Sequence, residues 1–308
     1  MGIDAREYFE NLQANRLTIV VDDPAAAAAA ALGELGEVVA LAGYDLLVAH
    51  ERPALVVATR LETVDALYEG WEDSPALFTH LSLARYDPGE RAARDAVAVL
   101  RRLDVGAALA RRDARYHALC SSARLEVSTR AGVLRMTWAD ELEIANHSAQ
   151  VRPHWLQSLT EFLEASVVNL ESERSSFHVD GVLAFAGFTG LANDPALAEV
   201  AGSFAALRRA AAGGDNWVEF VDNRLTRVII DGVDVSERFA TVLGKDHRGS
   251  SALEFGFGCA EFSPSWSVNS PLHKCCEGVF VGVGTGHLAP HFDFVAPAAT
   301  LRFTETAS

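Results

Sequence analysis

The apolar positions of this 308-residue chain change rhythm part-way along. Up to about residue 120, short continuous apolar runs give way to stretches of helical spacing. Residues 17–21 are apolar and are followed by Asp22 or Asp23 as a helix cap and Pro24 at the first helical position, so a strand is predicted to enter a helix. Residues 45–49 and 54–58 read as buried strands, 59–71 as a helix, 76–83 as another strand, and 87–117 as helical, with apolar residues recurring at three and four. Strands alternating with helices predict an α/β domain with an open sheet over residues 1–120. After Cys120 the period shortens to two: residues 124–129 and 133–138 flank Ala131-Gly132 as a hairpin, and 178–185, 216–232, 252–258, 277–284 and 291–295 carry further β patterning. Helical stretches interrupt only near 195–212 and 235–243. The second predicted unit, 121–308, is therefore mainly β (α+β).

Composition narrows the function classes. Lys and Arg number 26 against 42 Asp and Glu, a net charge of −16, which opposes nucleic acid as a partner because phosphate binding needs clustered positive charge. The first 20 residues carry Asp4, Arg6, Glu7, Glu10 and Arg16 rather than the basic start and apolar run of a secretory signal. No stretch approaches the ~20 uncharged apolar residues that cross a bilayer. A cytoplasmic protein with no membrane partner is expected. The four cysteines, Cys120, Cys259, Cys275 and Cys276, have no repeated spacing of a zinc site or a disulfide framework. No glycine cradle for a dinucleotide or nucleotide phosphate follows any strand, and no serine sits in a nucleophile elbow.

The candidate chemistry lies in the second half. His291 and Asp293 stand two apart in a strand pattern, so both project to one face while Phe292 faces the core. Glu254 sits between apolar neighbours in a strand ending in glycines, where a carboxylate is costly to bury without a cation or donor. Glu161, Glu171 and Glu173 are further carboxylates with more solvated surroundings. Cys275 and Cys276, beside His273 and Lys274, carry the residue types of an activated thiolate, but neighbours in a strand point opposite ways and the pair reads as structural.

Taken in order, TEFLEAS, HVDGVLAF, WVEFVDNRLTRVI, LEFGFG, NSPLHKCCEGVFVGVG and HFD resemble the M29-type metallo-aminopeptidases and the related 2,5-dihydroxypyridine dioxygenases over about residues 155–300. The resemblance implies Glu161 as the first metal carboxylate, Glu254 as the second, and His291 with Asp293 as the terminal pair. It also implies two losses: Lys274 stands where a third glutamate belongs, and Phe280 or Val281 where a metal-binding histidine belongs. The cleft expected on this basis has Glu161, Glu254, Lys274, His287, His291 and Asp293 as ligand candidates, with Lys274 as an internal counter-ion and no metal or other cofactor. Metal-poor proteins of this resemblance occur in crocagin-type ribosomal-peptide biosynthesis, which implies a non-catalytic protein holding a precursor peptide; the acidic balance favours a basic one, and a homodimer is expected. The alternative is a metal-dependent aminopeptidase, or a mononuclear iron ring-cleaving dioxygenase in which His247, His273 or His287 completes a triad with His291 and Asp293.

Overall fold

The computed structural model describes residues 2–305. A two-residue strand β1 (Ile3–Asp4) leads into α1 (Ala5–Gln13), whose first turn is capped by the Asp4 carboxylate on the Arg6 N–H. There follow β2 (Leu17–Val21), α2 (Ala27–Leu32), β3 (Gly36–Ala40), β4 (Ala54–Ala58), α3 (Leu61–Gly70) and β5 (Phe78–Ser82). The four longer strands form a parallel sheet in the order β3-β2-β4-β5. β4 and β5 are buried along their whole length, which is why their sequences read as unbroken runs rather than alternating ones.

Two expectations fail in this region. Residues 45–49 are not a strand: the Asp45 carboxylate accepts the Leu47 N–H at 2.8 Å, a local turn that competes with extended pairing, and the partner of β2 is β3 instead. Asp22 and Asp23 do not cap α2. Asp22 reaches across to accept the Thr59 and Arg60 N–H groups, both at 2.8 Å, ahead of α3.

α4 (Glu90–Arg102) and α5 (Val105–Ser121) complete the first part, α5 being capped by Asp104 on the Ala107 N–H. The chain then runs through β6 (Ser122–Thr129), β7 (Gly132–Trp138), β8 (Gln150–Val151), β9 (Glu164–Val168), β10 (Phe177–Ala184), β11 (Gly187–Leu191), α6 (Pro195–Ser203) and α7 (Ala205–Ala211). It ends with β12 (Trp217–Val221), β13 (Arg224–Ile230), β14 (Val233–Asp234), α8 (Ser236–Leu243), β15 (Ala252–Gly258), β16 (Gly278–Val283), β17 (His291–Ala296) and β18 (Thr300–Glu305). Two antiparallel sheets result, a seven-stranded one ordered β14-β13-β12-β10-β7-β6-β18 and a five-stranded one ordered β11-β17-β16-β15-β9. Their facing sides share one core, in which Val179 and Leu183 of the larger sheet meet Phe255, Val281 and Phe294 of the smaller. Phe188, Phe239, Phe292 and Phe294 pack there as tilted and edge-to-face pairs.

The parallel sheet does not close its core alone. Tyr8, Phe9, Leu55 and Leu81 pack in one cluster with Val151, Leu159, Phe162, Leu163, Ala260, Leu272 and Cys275 from beyond residue 120. Arg112 of α5, only 1% exposed, donates to the carbonyls of Glu164, Ser148 and Asn146, tying the helix to the start of β9. No helix among the described residues is long and apolar enough to cross a membrane.

Candidate functional site

The five-stranded sheet is in register so that one row crosses four strands: Glu254 of β15 faces Gly282 of β16, Gly282 faces Asp293 of β17, and Asp293 faces Thr189 of β11. Gly282 makes the row a site. A Cβ there would lie 2.5 Å from His291 Nε2 and 2.9 Å from Asp293 Oδ1, so only a glycine lets the imidazole lie over β16 and reach carboxylates on both sides. The next row repeats the device. A Cβ on Gly256 would stand 2.3 Å from Phe280 Cζ, and the ring fitted into that space lies beneath Lys274, with Nζ 5.0 Å from its centroid.

The polar groups form one continuous chain. Lys274 Nζ, on the 3-10 turn Pro271–Cys275, donates to Glu254 Oε1 at 3.0 Å and lies 3.2 Å from Glu164 Oε1 at the start of β9. The other Glu254 oxygen is 3.3 Å from His291 Nε2, which is also 2.9 Å from Asp293 Oδ1. Asp293 Oδ2 accepts the Thr189 hydroxyl at 3.0 Å. His291 Nδ1 is 2.6 Å from the Gly284 carbonyl, an acceptor only, so Nδ1 carries the proton. Nε2 therefore presents either a second proton or a lone pair to two carboxylates, and two acceptors facing a lone pair repel. Something positive must lie at that point.

Protonation supplies it. Burial opposes a charged imidazole, but Asp293 and Glu254 outweigh it and lift His291 to about 10. Burial likewise opposes the Lys274 ammonium, yet Glu164, Glu254 and Asp293 hold its pKa well above the usual lysine range. Glu254 is raised by burial and pulled down further by Lys274 and His291, to about 2. Glu164 goes the other way: burial, with Glu254 adding to it, outweighs Lys274 and pushes the carboxyl up to about 8. The Lys274 ammonium and the His291 imidazolium thus both face Glu254, and their charges keep that buried carboxylate ionised.

Of the six cleft candidates expected from sequence, Glu254, Lys274, His291 and Asp293 come together in this cluster, and Glu161 and His287 do not. Glu161 lies on the 3-10 turn Leu159–Phe162 and hydrogen-bonds Asn146 at 2.8 Å; the carboxylate in contact with Lys274 is Glu164, three residues on. β9 begins only at 164, so position 161 stays on the turn. His287 is exposed. Neither His247 nor His273 joins: His247 is a surface partner of Asp246, and His273 is buried with Nε2 2.9 Å from Asp95. The sequence reading missed Glu164, Thr189 and Gly282. The alternating run EASVV was the available signal for Glu164 as a strand residue. Cys275 is buried, with Sγ 4.0 Å from Glu164 Oε2, and burial raises its pKa well above the ordinary thiol value, so it is no thiolate nucleophile.

The same geometry bears on metal binding. Glu254, His291 and Asp293 each offer one ligand atom within 4.8 Å of the others. The Gly284 carbonyl fixes the tautomer that turns an Nε2 lone pair toward them, which suits a divalent cation. The Lys274 ammonium, 3.0 Å from one of those ligands, opposes it by like charge.

A family model described as crocagin biosynthetic protein CgnE/B matches residues 14–304. Natural-product biosynthesis is the setting this match supports. No curated protein matches the chain. Among solved structures, 2,5-dihydroxypyridine dioxygenase from Pseudomonas putida KT2440 is similar at 13% identity, with a TM-score of 0.48 over 99% of this chain and 97% of that one.

Proposed function

Because the chain belongs to the CgnE/B family of crocagin biosynthetic proteins, we propose that it holds a precursor peptide during ribosomal-peptide natural-product assembly and does not cleave it. The observation that carries this reading is the Lys274 ammonium set between Glu254 and Glu164 at 3.0 and 3.2 Å. A cation built into the chain pairs with Glu254, one of the three residues that could ligate a metal, and so opposes the ion that would polarise a peptide carbonyl or activate a water against it. A fold whose chemistry is lost can still offer pockets and backbone groups to an extended chain. The net charge of −16 favours a basic peptide, chiefly through the rate of encounter.

A second reading has its own observation. With Glu254, His291 and Asp293 so close, a divalent ion held there would activate water or dioxygen, as in a metallo-aminopeptidase or a mononuclear iron dioxygenase. One experiment separates the two. Protein purified without chelator is assayed for bound metal, titrated with the precursor peptide by calorimetry, and the peptide is recovered for mass spectrometry. Saturable binding, an intact peptide and far less than one metal per chain are expected. Near-stoichiometric metal that Glu254→Gln removes, or a peptide shortened at its N-terminus, would overturn the proposal in favour of the metalloenzyme.

A further inference from the structure

A cavity lies beside Glu161. It measures about 440 Å³ and is bounded by residues 144–149 on one side and by Arg152, Trp155 and Leu156 on the other, with Glu161 among its lining residues. Its walls are fixed from behind. The buried Arg112 guanidinium donates to the carbonyls of Asn146 and Ser148, and the Tyr116 hydroxyl donates to Asn146 as well. Asn146 is in turn held by its Oδ1, which accepts the Ser148 N–H at 2.9 Å, and its Nδ2 donates to Glu161 Oε2 at 2.8 Å. Asn146 is the one side chain among the described residues that hydrogen-bonds Glu161, the Ser158 N–H also acts on that carboxylate, and Glu161 forms part of the cavity wall. Ile144, Ala145 and Leu156 supply apolar wall, and Trp155, 48% exposed, adds an indole to it.

We propose that this cavity is a binding subsite for a primary ammonium on an aliphatic stem, a lysine side chain of the bound peptide, with Glu161 receiving the charge and Trp155 packing on the stem. The assignment rests on the peptide-holding reading and names which feature of the peptide it takes. The parts match the ligand: a fixed carboxylate for the ammonium, apolar wall for four methylenes, and an indole whose face favours a cation and whose area favours a hydrocarbon. Burial raises the Glu161 carboxyl above its ordinary range, with Asn146 and Lys274 offsetting it only in part, so an arriving ammonium meets a group whose ionised form it stabilises. Arg152 and His147, both exposed, also line the cavity.

The test uses the full chain and two small probes, Nα-acetyl-lysine N-methylamide and its norleucine counterpart, which lacks only the ammonium. Indole N–H signals are followed by NMR, Trp155 being assigned from Trp155→Phe. The lysine probe should shift the Trp155 signal saturably, the norleucine probe should bind about ten- to a hundredfold more weakly, and Glu161→Gln should erase that difference. The other indole signals report that each variant is folded, and Trp155→Ala, at an exposed ring, is a second variant expected to weaken both probes. No response of Trp155 to the lysine probe, equal affinity for the two probes, or wild-type discrimination retained in Glu161→Gln would each overturn the assignment. A protein that binds the lysine probe but not the precursor peptide keeps the subsite and removes the peptide-holding reading instead.

Discussion

At the scale of single residues, the cluster depends on Lys274 more than on any of its carboxylates. Removing the ammonium leaves Glu254 and Glu164 buried without their shared donor, and breaking one partner of a buried ion pair costs about 3–5 kcal/mol. Lys274→Met is expected to lose stability in that range by urea denaturation, and Lys274→Met with Glu254→Gln should recover part of it, since the double variant no longer buries an unpaired charge. Unchanged stability in Lys274→Met would mean that the carboxylates are neutralised in another way. The same residues set a pH dependence. His291 titrates at about 10 folded against about 6.5 unfolded, so the native state holds a proton that the unfolded chain has released between those values. Its contribution is complete below about pH 6.5 and lost as pH rises toward 10. Glu164, raised to about 8, acts with the same sign at lower pH. Glu254, lowered to about 2, contributes only above its unfolded pKa and loses its contribution in acid. The urea midpoint should therefore fall between pH 6.5 and 10, and His291→Gln should flatten that fall; an equal slope in wild type and variant would place the titration elsewhere.

At the scale of elements, β16 is the strand on which the site turns, although it contributes no ionisable side chain to the cluster. Gly282→Ala would drive a methyl into His291 and Asp293, and overpacking of this kind costs about 1–3 kcal/mol. Its more telling effect is the loss of the alkaline pH dependence, because the imidazole can no longer touch both carboxylates; a variant with the wild-type pH profile would show that the ring has another resting place. This is also where sequence reading reached its limit. The period of two in residues 291–295 places His291 and Asp293 on one face, and the apolar setting of Glu254 signals a carboxylate in need of a cation, because both follow from local alternation. The row joining them depends on register across β15, β16 and β17, which no local pattern encodes. Glu161 and Glu164 show the same limit from the other side: three residues apart, they differ in role because a 3-10 turn ends and β9 begins between them. Residues 45–49 carry strand composition but fold as a turn because Asp45 offers the backbone a closer partner than any neighbouring strand.

At the scale of the whole molecule, the alternation of strands and helices up to residue 120 and of strands beyond it is legible in the sequence, and the way the two parts share a core is not. Leu159, Phe162, Leu272 and Cys275 carry no signal that they cover a sheet made by residues 17–82, yet they pack in the same cluster as Leu55 and Leu81. Arg112 reinforces the join, since its guanidinium donates to the backbone carbonyls of Glu164, Ser148 and Asn146, the last shared with the Tyr116 hydroxyl. Those same bonds hold the start of β9, and with it Glu164, and the wall of the Glu161 cavity, so both candidate sites depend on how firmly α5 is seated. Heat unfolding of the intact chain is accordingly expected as one cooperative transition, with calorimetric and van't Hoff enthalpies in agreement. Arg112→Leu should lower its midpoint, each stranded carbonyl costing about 1–3 kcal/mol, and should weaken binding of the lysine probe along with stability, because the cavity wall loses its support. Two separate transitions in the wild-type scan, or a destabilised Arg112→Leu that binds the probe as wild type does, would show that the parallel sheet and the site sheet stand independently of each other.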